Sequence, residues 1–230
     1  MYISRIFWYG IIPFISHMVT YWGTSYLFAF LDSYVIHKNK HKDWKIQPNS
    51  LPSNLPEYKK YFIKIAKPIL HFQIHYLLPL AFVFGCIAPE LYHTGSETLY
   101  SLIYKSIGII LIEEFLFYHL HRLFHHKLLY KYHKMHHSIH APIAVSTIYC
   151  HPLENIFVNI GPLLVGPYIM GLSWYWTQWW MPIATINAIF GHTGYNWSFF
   201  KSQAHDDHHK YFKCNYGTLG LFDKLYKTNK

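Results

Sequence analysis

The chain has 230 residues, of which 52% are apolar, 20% aromatic and only 13% charged. Ordinary globular domains carry roughly 25% charge, so a disordered chain, a collagen and a coiled coil are all excluded. Lys and Arg outnumber Asp and Glu by 20 to 11, a net charge of +9. That balance suits either nucleic acid or an anionic membrane face, and the basic residues lie in loops between apolar runs, which favours the membrane and leaves no role for nucleic acid.

A helix crosses a hydrocarbon core with about 20 mostly apolar residues. Residues 6–36 form a first such run, interrupted by His17 and Asp32. Pro13 and Gly23 leave open whether it crosses once or re-enters as a hairpin. Residues 37–67 follow with a dense set of Lys, and 37–60, with Pro48, Pro52 and Pro56, read as a linker. A second run covers 69–88 and a third 99–120, the latter broken by Lys105, Glu113 and Glu114. Residues 155–200 contain no Asp, Glu, Lys or Arg. They allow two shorter spans, 156–170 and 174–190, joined by a turn at Gly171, Leu172 and Ser173. Lys clusters in 37–67, 121–134 and 201–230, but not in 89–98, place the first three on the cytoplasmic side. The fold class predicted is all-α: an integral membrane protein with four to five transmembrane helices and a cytoplasmic, helical, His-rich cap. Residues 1–98 supply the N-terminal spans and basic linker, and 99–230 the catalytic region. Cys86, Cys150 and Cys214 form no CxxC pair, which disfavours disulfide staples and thiolate zinc sites.

No packing argument asks for 19 His, and thirteen of them lie between His119 and His209. Three clusters have ligand spacing: His121 and His125; His133, His136 and His137; His205, His208 and His209. Offsets of three and four residues share a helical face, so each cluster can aim its imidazoles at a common point. Eight ligands are too many for one metal and fit two. Imidazole suits Zn, Cu, Fe and Ni, but neither a structural nor a hydrolytic zinc site uses so many His. A di-iron centre is the economical reading. Glu114 lies two helical turns before His121, where it can accept a hydrogen bond from a ligand imidazole or pair with a Lys or Arg. His126 and His140 flank the clusters as candidates to orient ligands, whereas His119 reads as a helix-face residue. His71 and His75, also four apart, have no third partner.

At these residues the chain resembles the fatty acid hydroxylase superfamily of membrane di-iron enzymes, and most of all its sterol 4-methyl monooxygenases. The likeness runs through His-Arg-Leu-Phe-His-His-Lys (121–127), Leu-Tyr-Lys-Tyr-His-Lys-Met-His-His (129–137) and Ala-Pro (141–142). It continues in Tyr-Cys-His-Pro-Leu-Glu (149–154), Gly-His-Thr-Gly-Tyr-Asn (191–196) and His-Asp-Asp-His-His (205–209). It closes with Asn-Tyr-Gly (215–217) and Asp-Lys-Leu-Tyr-Lys-Thr (223–228). The resemblance implies His121, His125, His133, His136, His137, His205, His208 and His209 as iron ligands and adds His192. It also implies supporting places for His151 and for Asn196, the latter through a water. Lys227 stands where relatives usually have Gly, and Asp207 where they usually have an aromatic.

The function implied is oxidation of a sterol 4-methyl group in sterol biosynthesis. Two iron ions and dioxygen would do the oxidation, with electrons passed from NAD(P)H through cytochrome b5 and its reductase. The location implied is the endoplasmic reticulum membrane, with the site on the cytoplasmic face. Rival readings are another lipid hydroxylase or sterol desaturase of the same superfamily, and a non-catalytic His-rich metal-binding or metal-transport protein.

Overall fold

The computed structural model describes residues 2–197 and 202–230; the last residues of the 155–200 run, from 198 on, lie outside them. The described residues are mostly helical and form no strand, with one isolated bridge between Lys45 and Tyr195. Helix α1 (Tyr2–Ile6) leads through a π-helical turn into α2 (Ile12–Lys38). Helix α3 (Leu55–Phe72) passes through a second π turn into α4 (Leu78–Leu91). Helix α5 (Leu99–Phe124) is followed by the short α6 (Tyr130–His133) and α7 (Pro152–Glu154). A third π turn leads into α8 (Gly161–Ile169), and α9 (Trp174–Gly191), α10 (Ser202–Tyr211) and α11 (Leu221–Leu225) complete the chain.

The π turns share one cause. They cover Phe7–Ile11, Gln73–Leu77 and Asn155–Ile160, and Pro13, Pro79 and Pro162 follow them. Proline lacks the N–H that would bond the carbonyl four residues back, and its ring clashes with that carbonyl. In each case that carbonyl belongs to the widened turn (Tyr9, His75, Val158), so the helix runs on without breaking.

The segment read as a linker is only partly one. Asn54 accepts a hydrogen bond from the Glu57 N–H at 3.0 Å, and Pro56 occupies the first turn, which starts α3 inside the Lys-rich stretch. Tyr58, Ile65, Ile69 and Phe72 form its buried face, while the Lys residues face outward. The preceding loop is fixed by a buried network. Lys45 Nζ donates to Asp32 Oδ1 at 3.1 Å and to the Thr193 carbonyl at 2.6 Å. The Tyr58 and Tyr195 hydroxyls donate to the same carboxylate at 2.9 Å each. The loop after α2 is thereby tied to the end of α9.

Helices α2, α3 and α9 enclose a core of Tyr21, Phe28, Ile65, Ile69, Ile189 and Tyr195. The first turns of the chain lie so close to α4 that a Cβ on Gly85 would sit 2.8 Å from Ile6 Cα. Among the described residues, one helix, the continuous 37-residue Leu55–Leu91, qualifies by length and apolar composition to cross a membrane, where the sequence suggests four or five spans. At 1.5 Å per residue it is about 55 Å long. Helices α2, α5 and α9, of 27, 26 and 18 residues, are long enough but interrupted by Tyr, Trp, Ser, Thr and, in α2 and α5, charged residues. Their outer faces are nonetheless apolar: Val19, Phe30, Ile103, Ile107, Trp179 and Ile183 are more than half exposed. The three cysteines are unpaired.

Candidate metal centre

All nine histidines named by motif and resemblance converge at one end of the bundle. They form two groups: His121, His125, His133, His137 and His208; and His136, His192, His205 and His209. Within each group the ligand nitrogens all lie within 4.8 Å of one another. The clusters do not each aim at one point, as their spacing suggests. Consecutive residues on a helix diverge by about 100°, so His136 and His137 enter different groups, as do His208 and His209. The pairs four apart, 121 and 125, 133 and 137, and 205 and 209, stay together.

Hydrogen bonds on the outer side of the rings fix how they present. His121 Nδ1 donates to the Tyr216 carbonyl at 2.7 Å and His208 Nδ1 to that of Cys214 at 2.6 Å. His209 Nδ1 donates to Ile139 O at 2.8 Å and His192 Nδ1 to Ala188 O at 2.8 Å. A carbonyl only accepts, so each of these rings carries its hydrogen on Nδ1 and turns a lone pair inward at Nε2. His133 Nδ1 meets a carboxylate instead, Glu154 Oε1 at 2.8 Å.

The inward nitrogens fit metal ions. Neighbouring Nε2 atoms are 3.0–3.2 Å apart in the five-His group and 3.0–3.4 Å in the four-His group. Imidazole nitrogens about 2.1 Å from a common ion stand about 3.0 Å apart in an octahedron and about 3.4 Å in a tetrahedron. Lone pairs at that spacing repel unless a cation lies between them.

Burial agrees with neutral rings. It depresses His121 and His192 to about 4 and His125 to about 3, the last helped by His121. Burial and the neighbouring imidazoles push His133, His136, His137, His205, His208 and His209 further down. Burial likewise raises Glu154 well above the carboxylate range. A buried carboxyl with its second oxygen unpartnered needs positive charge to ionise, and a cation held by the His groups would supply it.

The supporting residues differ from the sequence reading. Among the described residues Glu114 bonds no imidazole and pairs with no Lys or Arg. It accepts from the Thr218 N–H and hydroxyl, the Leu219 N–H and the Leu221 N–H, at 2.7–2.9 Å. Asp223 accepts from the Tyr216 and Gly217 N–H groups at 2.8 and 2.7 Å. The two carboxylates thus shape the loop whose Cys214 and Tyr216 carbonyls orient His208 and His121. Gly217 is required there, since a Cβ would lie 2.6 Å from Glu114 Oε1. His151 is no ligand: its Nδ1 accepts from the Leu153 N–H at 3.2 Å and caps α7, the helix that presents Glu154. Asn196 is exposed, its N–H bonded to Trp44 O at 2.6 Å, because the chain turns at Gly194 (φ +64) after His192. His126 and His140 are exposed and outside both groups. His119 lies on the helix face, bonded to Phe115 O at 2.8 Å. His71 and His75 belong to neither group. Glu154, beside His133, is the site residue that the sequence reading passed over, although it ends the quoted His-Pro-Leu-Glu motif.

A cavity of about 210 Å³ runs from the four-His group into the bundle. His192 and His205 line one end, and Tyr9, Phe84 and Trp174 the other.

A sequence profile of the fatty acid hydroxylase family matches residues 106–228, the interval that holds every histidine of both groups. The chain belongs to the fatty acid hydroxylase family. Its relatives within the family carry different names. It is 44% identical over 121 residues to human fatty acid hydroxylase domain-containing protein 2, covering 52% of this chain and 36% of that one. It is 30% identical to a putative methylsterol monooxygenase of Dictyostelium discoideum, across 94% of this chain and 82% of the relative. It is 34% identical to a fatty acid hydroxylase of Mycosarcoma maydis, across 81% and 49%. No solved structure matches the chain.

Proposed function

We propose that this fatty acid hydroxylase family member is a membrane monooxygenase whose two His groups each hold an iron ion. The ligands are His121, His125, His133, His137 and His208 for one, and His136, His192, His205 and His209 for the other. The observation that carries the proposal is the convergence of nine Nε2 atoms beside a mainly apolar cavity that opens onto His192 and His205. Bound iron, with dioxygen and two electrons, supplies oxidation of an unactivated C–H bond. The chain's own residues do the rest. Tyr216, Cys214, Ile139 and Ala188 carbonyls hold the rings in the tautomer that leaves Nε2 free. Glu154 offsets cation charge through His133, and the cavity wall keeps water from the substrate.

The substrate reading is a lipid, with a sterol 4-methyl group in sterol biosynthesis first, on the motif likeness and the methylsterol monooxygenase relative. The exposed apolar faces of α2, α4, α5 and α9 support a bilayer setting, since soluble proteins rarely show apolar patches of that extent. The placement proposed is the endoplasmic reticulum, multi-pass, with the His end cytoplasmic. Exposed Lys127, Lys131, Lys134, Lys210 and Lys213 surround that end and suit an acidic electron donor, read here as cytochrome b5 reduced from NAD(P)H.

The test is product formation from 4,4-dimethylsterols by membranes containing the chain, dependent on NADH and oxygen, with His136→Ala as control. A 4-hydroxymethyl or 4-carboxy sterol absent from the control supports the sterol reading. No sterol product from an iron-loaded protein with a working donor moves the substrate to another lipid.

A further inference from the structure

One ring lining the far part of the cavity has its hydrogen assigned by its neighbours. Trp22 Nε1 can only donate, and it donates to Gln73 Oε1 at 2.8 Å. The Gln73 amide therefore turns its NH2 toward His17, Nε2 to Nε2 at 3.2 Å. An amide NH2 only donates, so His17 Nε2 accepts and the neutral ring carries its hydrogen on Nδ1. Gln73 is fully buried, and water does not compete for its amide. His17 lines the cavity, packed along Tyr21 with ring centroids 5.8 Å apart. Its Nδ1 has no hydrogen-bond partner among the described residues, and it is not among the polar atoms sealed from solvent. An N–H donor is thus left unpartnered on a residue of a mainly apolar cavity, whose polar lining also includes Glu113, Asn155, Asn159 and Asn187, and an unpaired donor costs free energy until an acceptor meets it.

Its depth follows from the helix. Phe28, eleven residues after His17 on α2, packs on Phe190 and Tyr195 with ring centroids 5.9 and 5.7 Å apart. Phe190 precedes His192 by two residues. Eleven residues of α-helix span about 16 Å, so the donor lies about that far from the metal end.

We propose that His17 binds an acceptor oxygen of an elongated apolar substrate, which places that oxygen on the order of 15 Å from the carbon that is oxidised. The inference rests on the His groups being the oxidising centre and goes beyond it by fixing how the substrate lies. It is the rival of the 4-methyl reading, and oxidation of a 4,4-dimethylsterol at its 4-methyl group would overturn it. The 3-hydroxyl of a sterol adjoins C4, so a sterol with its 4-methyl group at His192 cannot also bring that hydroxyl to His17. The ligand chemistry recognised is a hydroxyl or carbonyl at the end remote from the reaction. A sterol inserted side chain first and a long-chain lipid with a terminal oxygen both carry it.

Equilibrium binding to the full chain in lipid nanodiscs separates these sources without turnover. The sterol probes are cholestane, cholestanol and cholestanone, and the chain probes are heptadecane and heptadecanone. The wild type should bind the oxygenated members of one set about 5- to 30-fold tighter than the parent hydrocarbon, from a hydrogen bond of about 1–2 kcal/mol. If the sterol set is preferred, cholestanone should match cholestanol, because the site donates. His17→Phe should remove the preference, and His17→Asn, which restores an N–H donor, should recover part of it. Equal binding across both sets in the wild type overturns the proposal. So does a preference that survives His17→Phe in protein whose metal content and melting match the wild type. Since binding is read without iron turnover, a failed oxidation assay beside an intact preference refutes the oxidising-centre reading and leaves the anchor standing.

Discussion

Glu114→Gln tests how the loop after α10 governs the metal centre. In the wild type Glu114 Oε2 accepts three hydrogen bonds, from the Thr218 N–H, the Thr218 hydroxyl and the Leu219 N–H, and Oε1 accepts one from the Leu221 N–H. The glutamine oxygen can take over the first three at neutral strength, but its NH2 then faces the Leu221 N–H. Hydrogen bonds to a charged acceptor are worth about 1.5–3 kcal/mol and neutral ones about 1, so the exchange costs the loop roughly 2–4 kcal/mol. That loop supplies the carbonyls for His121 and His208, both in the five-His group. It supplies none for His192 or His209, which bond Ala188 and Ile139. Losing an outer partner of a ligand typically weakens metal binding 10- to 100-fold. The assay is a chelator titration of the iron-loaded protein in mild detergent. One iron should leave at 10- to 100-fold lower chelator concentration than in the wild type, and the other should leave unchanged. Two unaltered irons, or two weakened equally, would refute the claim that Glu114 acts on the five-His group through the loop.

Lys45→Met should show the opposite selectivity. It strands the buried Asp32 carboxylate and frees the Thr193 carbonyl next to His192, costing about 3–5 kcal/mol in thermal or denaturant unfolding and loosening the iron of the four-His group first in the same titration. Acid should destabilise the metal-free chain well above the pKa of its folded histidines. His121 and His192 fall to about 4 and His125 to about 3 in the fold, against about 6.5 unfolded. The unfolded chain therefore binds more protons, and the stability is fully present above about pH 6.5 and lost as pH falls toward 4 and below. Thermal midpoints of the chelated protein across that range check the sign, and a midpoint that rises on acidification would contradict it. Lys227→Gly should stabilise by about 1 kcal/mol, because Lys227 holds φ +55; a lower melting temperature would mean its side chain contributes more than the backbone strain costs.

Much of this molecule is legible in its sequence. The nine histidines that converge are those picked out by spacing and, for His192, by the resemblance, and the turn at Gly171 (φ +58) lies where the two short apolar runs meet. Lys227, where the resemblance leads one to expect Gly, is left-handed. The division of ligands between the groups was hidden, because spacing within one motif says which rings share a face and nothing of which rings from distant motifs they meet. Glu114 misled for a related reason. Its place two turns before His121 is compatible with an imidazole contact, but the loop at 216–221, a hundred residues on, fills that space with backbone N–H groups. Glu154 was visible only as a letter in a motif until α7 brought it to His133. Helix α3 was masked by its own Lys and Pro residues, although Asn54 with Pro56 and Glu57 is a recognisable helix start.

Two irons on nine histidines are tested most directly by metal content. The chain purified from iron-supplied cells should carry two irons. His137→Ala should retain the iron of the four-His group and His136→Ala that of the five-His group, each about one per chain. A wild-type chain that binds a single ion, or variants that both keep two, would contradict the account.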